Sequence, residues 1–318
     1  MSAETTQGVV RRPAVGVALV VLAATLWGTL GTLYTLTIDE YRLPPLTVVF
    51  YRALFATLAL ALLRIGRGGW RIGRADRPLV IAYGLLGVTV FYVAYIYAVL
   101  LVGVTTAVVL LYTAPAIVAV LAWRFLGEQW TRRKGVALGL TLGGVVLVAG
   151  AYDPAALGGN ALGLGCGLLA GATYALYSIF GKLAHRQALS LPTLLLYTLG
   201  IGTLGLLAWI AVSDPAALFA PGDRPAVWAV LLMLGTVQTL LPIAAYTISL
   251  RHLDAGVASI CAMLEPVVAG ALAVGVLHRP VGWPAAVGAG AILAAVGLLT
   301  LSGTRPAPAR QSLPPAER

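Results

Sequence analysis

Charge is what this sequence has least of. Charged residues fill 10% of the 318 positions and apolar residues 60%, against about 25% charged in an ordinary soluble domain. That balance excludes a water-soluble globule. Cysteine is scarcer still. Cys166 and Cys261 both fall inside apolar runs, which leaves no disulfide framework and no metal-ligand spacing. HExxH, GxSxG and paired catalytic aspartates are absent, so an enzyme would have no visible active site, and neither metal nor cofactor is expected. The run Gly163-Leu164-Gly165-Cys166-Gly167 looks like a dinucleotide loop, but it lies within an apolar stretch that no strand precedes. Lysine is nearly missing: Lys134 and Lys182 stand against nineteen arginines, a bias that points to a GC-rich bacterial genome. The net charge of +10 does not mark a nucleic-acid binder, because the cations sit in short segments between apolar runs.

Long apolar runs are what the chain does have. They predict spans at about 14–35, 45–65, 79–100, 104–125, 134–151, 160–184, 192–212, 226–251, 255–277 and 281–302, each about 20 residues long. The halves repeat. A shift of 151 aligns Ala107, Pro115, Leu121, Ala122, Val136, Gly139 and Val145 with Ala258, Pro266, Leu272, Ala273, Val287, Gly290 and Val296, and a shift of 147 aligns Trp27 with Tyr174 and Pro45 with Pro192. A repeat of five spans is odd, so its two copies enter a membrane from opposite faces. The expected fold class is an all-α polytopic membrane protein with ten transmembrane helices as two inverted five-helix repeats. Its organisation reads as a tail at 1–12, a first repeat at 13–152, a second repeat at 158–303 and a disordered tail at 304–318.

The cations set the expected orientation. With the N-terminus inside, seventeen lysines and arginines fall in inner segments, and only Arg42, Arg224 and Arg279 fall in outer ones, beside Asp39, Glu40, Asp153, Asp214 and Asp223. Both termini are therefore expected in the cytoplasm. Arg11 and Arg12 ahead of an apolar run also fit a signal peptide, but the run is long and nine more spans follow, so they are read as charge that holds the first span.

ATLWGTLG (24–31), YRA (51–53) and TAPAIVAVLAWRFLGE (113–128), with the second-half LEPVVAGALAVGVLH (264–278), resemble the EamA family of the drug/metabolite transporter superfamily, over residues 14 to 302. The resemblance implies a secondary transporter of the bacterial inner membrane that exports small metabolites by alternating access. Its nearest likeness is to amino-acid exporters, including aromatic amino-acid exporters. The same scaffold carrying another cargo, a nucleotide-sugar or a cationic drug, is the alternative. A membrane-embedded enzyme or sensor is a weaker one, because the loops are too short for a catalytic domain. One departure stands out: Leu277-His278-Arg279 replaces the family's Leu-Gly-Glu.

Only Arg52 and Glu265 are ionisable deep within spans. A charge there is costly, so each is expected to face protein or a wet cavity. Glu265 is either a cavity acid for a substrate amine or a proton, or a protonated group bonded to a neighbouring helix. Arg52 either meets a carboxylate or anchors a helix. Pro115, Pro242 and Pro266 are expected to kink their helices, as hinges or as static bends. Mid-span polar and aromatic groups nominate Trp27, Thr89, Tyr92, Tyr95, Tyr174, Tyr177, Gln238 and Tyr246 as substrate contacts, with Trp27 open to a packing role as well. Tyr83, Tyr97, Trp70, Trp228 and Trp283 are read as interfacial belts. Gly135, Gly139 and Gly143, with Ala286, Gly290 and Ala294 at aligned positions, predict that the fifth and tenth spans pack on each other through small residues; dimerisation through that stripe is the other reading. The expected partners are a small-molecule substrate and the lipid bilayer, with no nucleic acid, and a monomer is preferred to a homodimer.

Overall fold

The computed structural model describes residues 12–35, 37, 40–65, 71–187, 189–276 and 282–300. The tails, Asp39, Trp70 and the segment 277–281 with its His278–Arg279 substitution lie outside them. Within these residues the chain is helical and has no strand. The first half comprises α1 (Pro13–Thr35), α2 (Pro45–Arg64), α3 (Arg77–Gly84), α4 (Phe91–Leu111), α5 (Ala114–Leu126) and α6 (Arg132–Val148). The second comprises α7 (Ala161–Arg186), α8 (Leu191–Ser213), α9 (Pro225–Gly235), α10 (Leu241–His252), α11 (Ala255–Ala262), α12 (Glu265–Gly275) and α13 (Trp283–Thr300). Among the described residues, eight stretches are long and apolar enough to cross a bilayer. One of these, Arg77–Leu126, runs for 50 residues. It turns at Gly103, where φ 77 and ψ 164 are open only to a residue without a Cβ. Local chemistry sets the ends. Prolines occupy the first turns of α2 and α8, where a missing N–H costs nothing. Thr131 and Asn160 cap α6 and α7 by accepting from the Lys134 and Gly163 amides.

The packing has an approximate two-fold pattern. α1 packs along α10 and α12, and α7 along α4 and α5. α2 pairs with α8 and α6 with α13, each with its own counterpart. Two irregularities also recur. A π-helical segment, Leu85–Val90, joins α3 to α4, and another, Thr236–Leu240, joins α9 to α10. They coincide under the shift of 151. The second repeated irregularity is a full break. Tyr112 and Thr113 form a turn between α4 and α5, and Met263 and Leu264 form one between α11 and α12.

These breaks correct the expected role of two prolines. Pro115 and Pro266 do not bend continuous helices. Each sits in the first turn of a new helix, where its ring meets no upstream carbonyl in the helical path. Pro242 likewise sits in the first turn of α10, directly after the wide π turn. The small-residue stripe needs correction as well. α6 and α13 do pack together, but through Gly144 and Gly288: a Cβ on Gly144 would stand 2.7 Å from the Gly288 carbonyl oxygen. Gly139, Gly143 and Gly290 meet nothing within 4 Å, and Ala294 is exposed. Ala286 is exposed too, and Gly135 is half-buried, where a Cβ would approach only Trp130. Small residues recur on two faces of these helices, and the nominated face is the one turned outward. Tyr83 is no belt residue either. It is 0% exposed and packs edge-on against Tyr177 at 4.9 Å. Trp283 does lie exposed, and Trp228 packs between Tyr51 and Phe55.

Candidate functional site

α2 carries Arg52 into the protein, where it is 4% exposed. Its Nε donates to the Thr239 hydroxyl at 2.9 Å, Nη1 to the Tyr34 hydroxyl at 3.0 Å and Nη2 to the Tyr92 hydroxyl at 3.2 Å. The guanidinium carbon also lies 5.5 Å from the Tyr34 ring centroid and 5.2 Å from that of Tyr92. With no carboxylate partner among the described residues, the cation is held by hydroxyls and ring faces from α1, α4 and the second π segment.

Glu265 opens α12, so its carboxyl stands beside the unsatisfied amides of a helix N-terminus, a position that favours an anion. The Tyr112 hydroxyl is a near neighbour of that carboxyl. Arg52, Tyr95 and Tyr174 stand close enough to feel its charge, yet no direct ion pair joins Glu265 to Arg52. Trp27, Tyr34, Tyr92, Tyr95, Tyr174 and Glu265 all keep intermediate exposure. The acid, Arg52 and the tyrosines are thus near neighbours in the fold. Two buried polar atoms, the Tyr174 hydroxyl in this group and Gln238 Oε1 on the second π segment, have no hydrogen-bond partner among the described residues. Such orphans are expensive unless something else binds them.

Next to this group the protein is closed. Tyr246 bonds Ser178 at 2.8 Å and packs on Trp27 with centroids 5.7 Å apart, and Tyr177 reaches Thr247 at 3.4 Å. Tyr177 and Tyr246 are therefore buried packing groups rather than open walls. Beyond them, the Lys182 ammonium donates to the Leu250 carbonyl at 2.6 Å and to that of Leu253. His185 contacts the Thr247 carbonyl, and Arg251 donates to His185 Nδ1 at 3.1 Å. Glu128 accepts from the Ala255 and Gly256 amides at 2.6 and 3.3 Å, which caps α11 from the other half of the chain. Lys134 bridges Glu128 and Asp254 at 3.5 and 3.0 Å. The polar end of α7 is thus pinned to the end of α10, and the loop after α5 to the start of α11.

Of the residues nominated from sequence, Arg52, Glu265, Tyr92, Tyr95, Tyr174 and Trp27 lie together or border the group, and Gln238 is buried on the second π segment beside Thr239. Thr89 does not. It sits in the first π segment and donates to the Gly202 carbonyl at 3.1 Å, toward α8. The π turn adds a residue and rotates the face, so the spacing of three from Thr89 to Tyr92 no longer means a shared side. Sequence reasoning missed Tyr34 and Tyr112. Tyr112 had a usable signal, because it aligns with Met263 and so stands at the repeat position two residues ahead of Glu265's own.

Comparisons with known proteins extend this picture. The profile of the EamA-like transporter family matches residues 14–150 and 161–301. The chain is similar to an uncharacterized transporter of Archaeoglobus fulgidus, at 29% identity over 259 residues, covering 80% of this chain and 85% of that one. It is also similar to a solved crystal structure, with a TM-score of 0.75 at 18% identity, covering 91% of this chain and 97% of the other. At that identity the likeness concerns the fold alone.

Proposed function

This chain belongs to the EamA-like transporter family, and from that premise we propose that it is a ten-helix transporter of the bacterial inner membrane that exports small metabolites of the amino-acid class by alternating access. The observation that carries the cargo class is the pair of opposite charges, Arg52 and Glu265, held apart within one aromatic compartment. A zwitterion has the complementary pair. Arg52 has five N–H donors, of which its three protein bonds use three, so two are left for a carboxylate. Glu265 then meets the amine, and Tyr174 and Gln238 offer their unpartnered atoms. In this reading the halves are inverted, both termini are cytoplasmic, and the closed end around Lys182 is the cytoplasmic one. The breaks at Thr113 and Leu264 and the two π segments are the joints about which the halves rock.

No ATP-binding motif accompanies the ten spans, so export runs downhill or draws on an ion gradient. Glu265 is the group placed to exchange a proton with the cargo amine. The test is counterflow in proteoliposomes with labelled neutral amino acids, a cationic dye and a nucleotide-sugar. Preference for a zwitterion over its amidated and deaminated analogues is the expected result. Equal transport of the deaminated analogue removes Glu265 from recognition, and preference for the dye moves the cargo to the cationic class. Proton exchange fails if a pH gradient leaves the rate unchanged in both the native chain and Glu265→Gln.

A further inference from the structure

A second binding feature lies away from this compartment, at the polar end of α3. α3 and α8 touch at Gly84, where a Cβ would stand 2.8 Å from both the Thr198 carbonyl oxygen and the Ile201 Cβ. Two turns earlier on α3 a cleft of about 650 Å³ opens between them. Arg71 and Arg77 line one part of it, and Val80, Ile81 and Ile201 line another, with Tyr197 from α8 also on the wall. Arg77 is the first residue of the apolar stretch that runs to Leu126, so the cations stand at the margin of that stretch and the aliphatic wall lies within it. Arg71, Arg77, Ile81 and Tyr197 are all exposed, so the cleft opens on the flank of the bundle rather than into its core. Among the described residues neither arginine forms an ion pair.

We propose that this cleft binds one anionic phospholipid, with the phosphate against Arg71 and Arg77 and the acyl chain along Val80, Ile81 and Ile201. The argument is one of matched polarity. Guanidinium groups present fork-shaped donors to phosphate oxygens, and basic pockets between membrane helices favour anionic headgroups. A soluble anion uses the arginines but leaves the aliphatic wall exposed, and a zwitterionic lipid uses the wall but brings no net charge. The site is separate from the Arg52–Glu265 compartment and does not rest on any reading of the cargo.

The test uses the purified full chain, delipidated in detergent and titrated with phosphatidylglycerol, phosphatidylcholine or inorganic phosphate. Retained lipid is counted by native mass spectrometry and the unfolding midpoint is followed. Phosphatidylglycerol is expected to bind roughly tenfold more tightly than phosphatidylcholine. Arg71→Gln with Arg77→Gln is expected to erase the difference, while Arg74→Gln, in the same loop but off the cleft, leaves it in place. Equal retention of the two lipids on the unaltered chain overturns the proposal without any variant. So does an equal loss in Arg74→Gln, which would mean diffuse loop charge. A midpoint shift with inorganic phosphate as large as that with phosphatidylglycerol overturns the lipid assignment and leaves a simple anion site.

Discussion

The break at Tyr112–Thr113 and the break at Met263–Leu264 are the same backbone event in two chemical settings. Both end a helix in a tight turn, both restart it with a proline in the first turn, and both are approached by the opening helix of the other half. A Cβ on Gly28 of α1 would stand 2.9 Å from the Glu265 carbonyl oxygen, and one on Gly171 of α7 would stand 2.8 Å from that of Leu110. The side chains then part company. Ala114 occupies the position of Glu265, and Met263 that of Tyr112. Each break therefore supplies half of one interaction, since Tyr112 from the first reaches Glu265 of the second. The duplication copied the geometry, and the chemistry was installed once, across the pair.

The largest expected effect tests whether the two breaks are mechanically alike. Gly28→Leu and Gly171→Leu should each destabilise the protein by about 3 kcal/mol, because the incoming side chain meets backbone that has no room to retreat. The unfolding midpoints in detergent should fall together, and a silent Gly171→Leu would break the equivalence. The chemical asymmetry comes next. Glu265→Gln should lower transport roughly tenfold to a hundredfold, by removing a charged hydrogen-bonding group. Ala114→Ser, the mirror position, should stay within about twofold, and comparable losses at both would show that the acid is not special. Tyr112→Phe isolates the contact between the breaks. It should cost about 1 kcal/mol, seen as a roughly fivefold loss of transport, while Met263→Leu leaves the rate unchanged. The smallest effect is reserved for Pro242. The first π segment forms with Phe91 at that position, so Pro242→Ala should shift stability by no more than about 0.5 kcal/mol.

Much of this was legible before any coordinates. Apolar length placed the helices, because a membrane span has no alternative to internal hydrogen bonding. The boundary expected between 100 and 104 falls at Gly103. Arg52 and Glu265 stood out because charge is costly at membrane depth. What stayed hidden was rotation and interruption. A proline in an apolar run specifies a missing donor, and both a kink and a restarted helix satisfy that requirement, so the sequence pattern of Pro115 did not choose between them. Thr89 was misread for a related reason, since the helical spacing of three assumes an unbroken turn and the π segment supplies a wider one. On α6, glycines at 135, 139, 143 and 144 left two possible contact faces. Only packing selects Gly144, through its approach to Gly288.

The paired π segments say something about the history of the chain. A widened turn is an extra residue in a helix, and two independent insertions at matched positions in two halves are an improbable coincidence. The bulge is more simply an inheritance from a single repeat that was later duplicated. Pro242, present in one copy alone, is then a later refinement of a shape that already existed. The same order of events applies to Glu265: an ancestor of identical halves would have carried such an acid twice or not at all, and gene fusion made it possible to keep one.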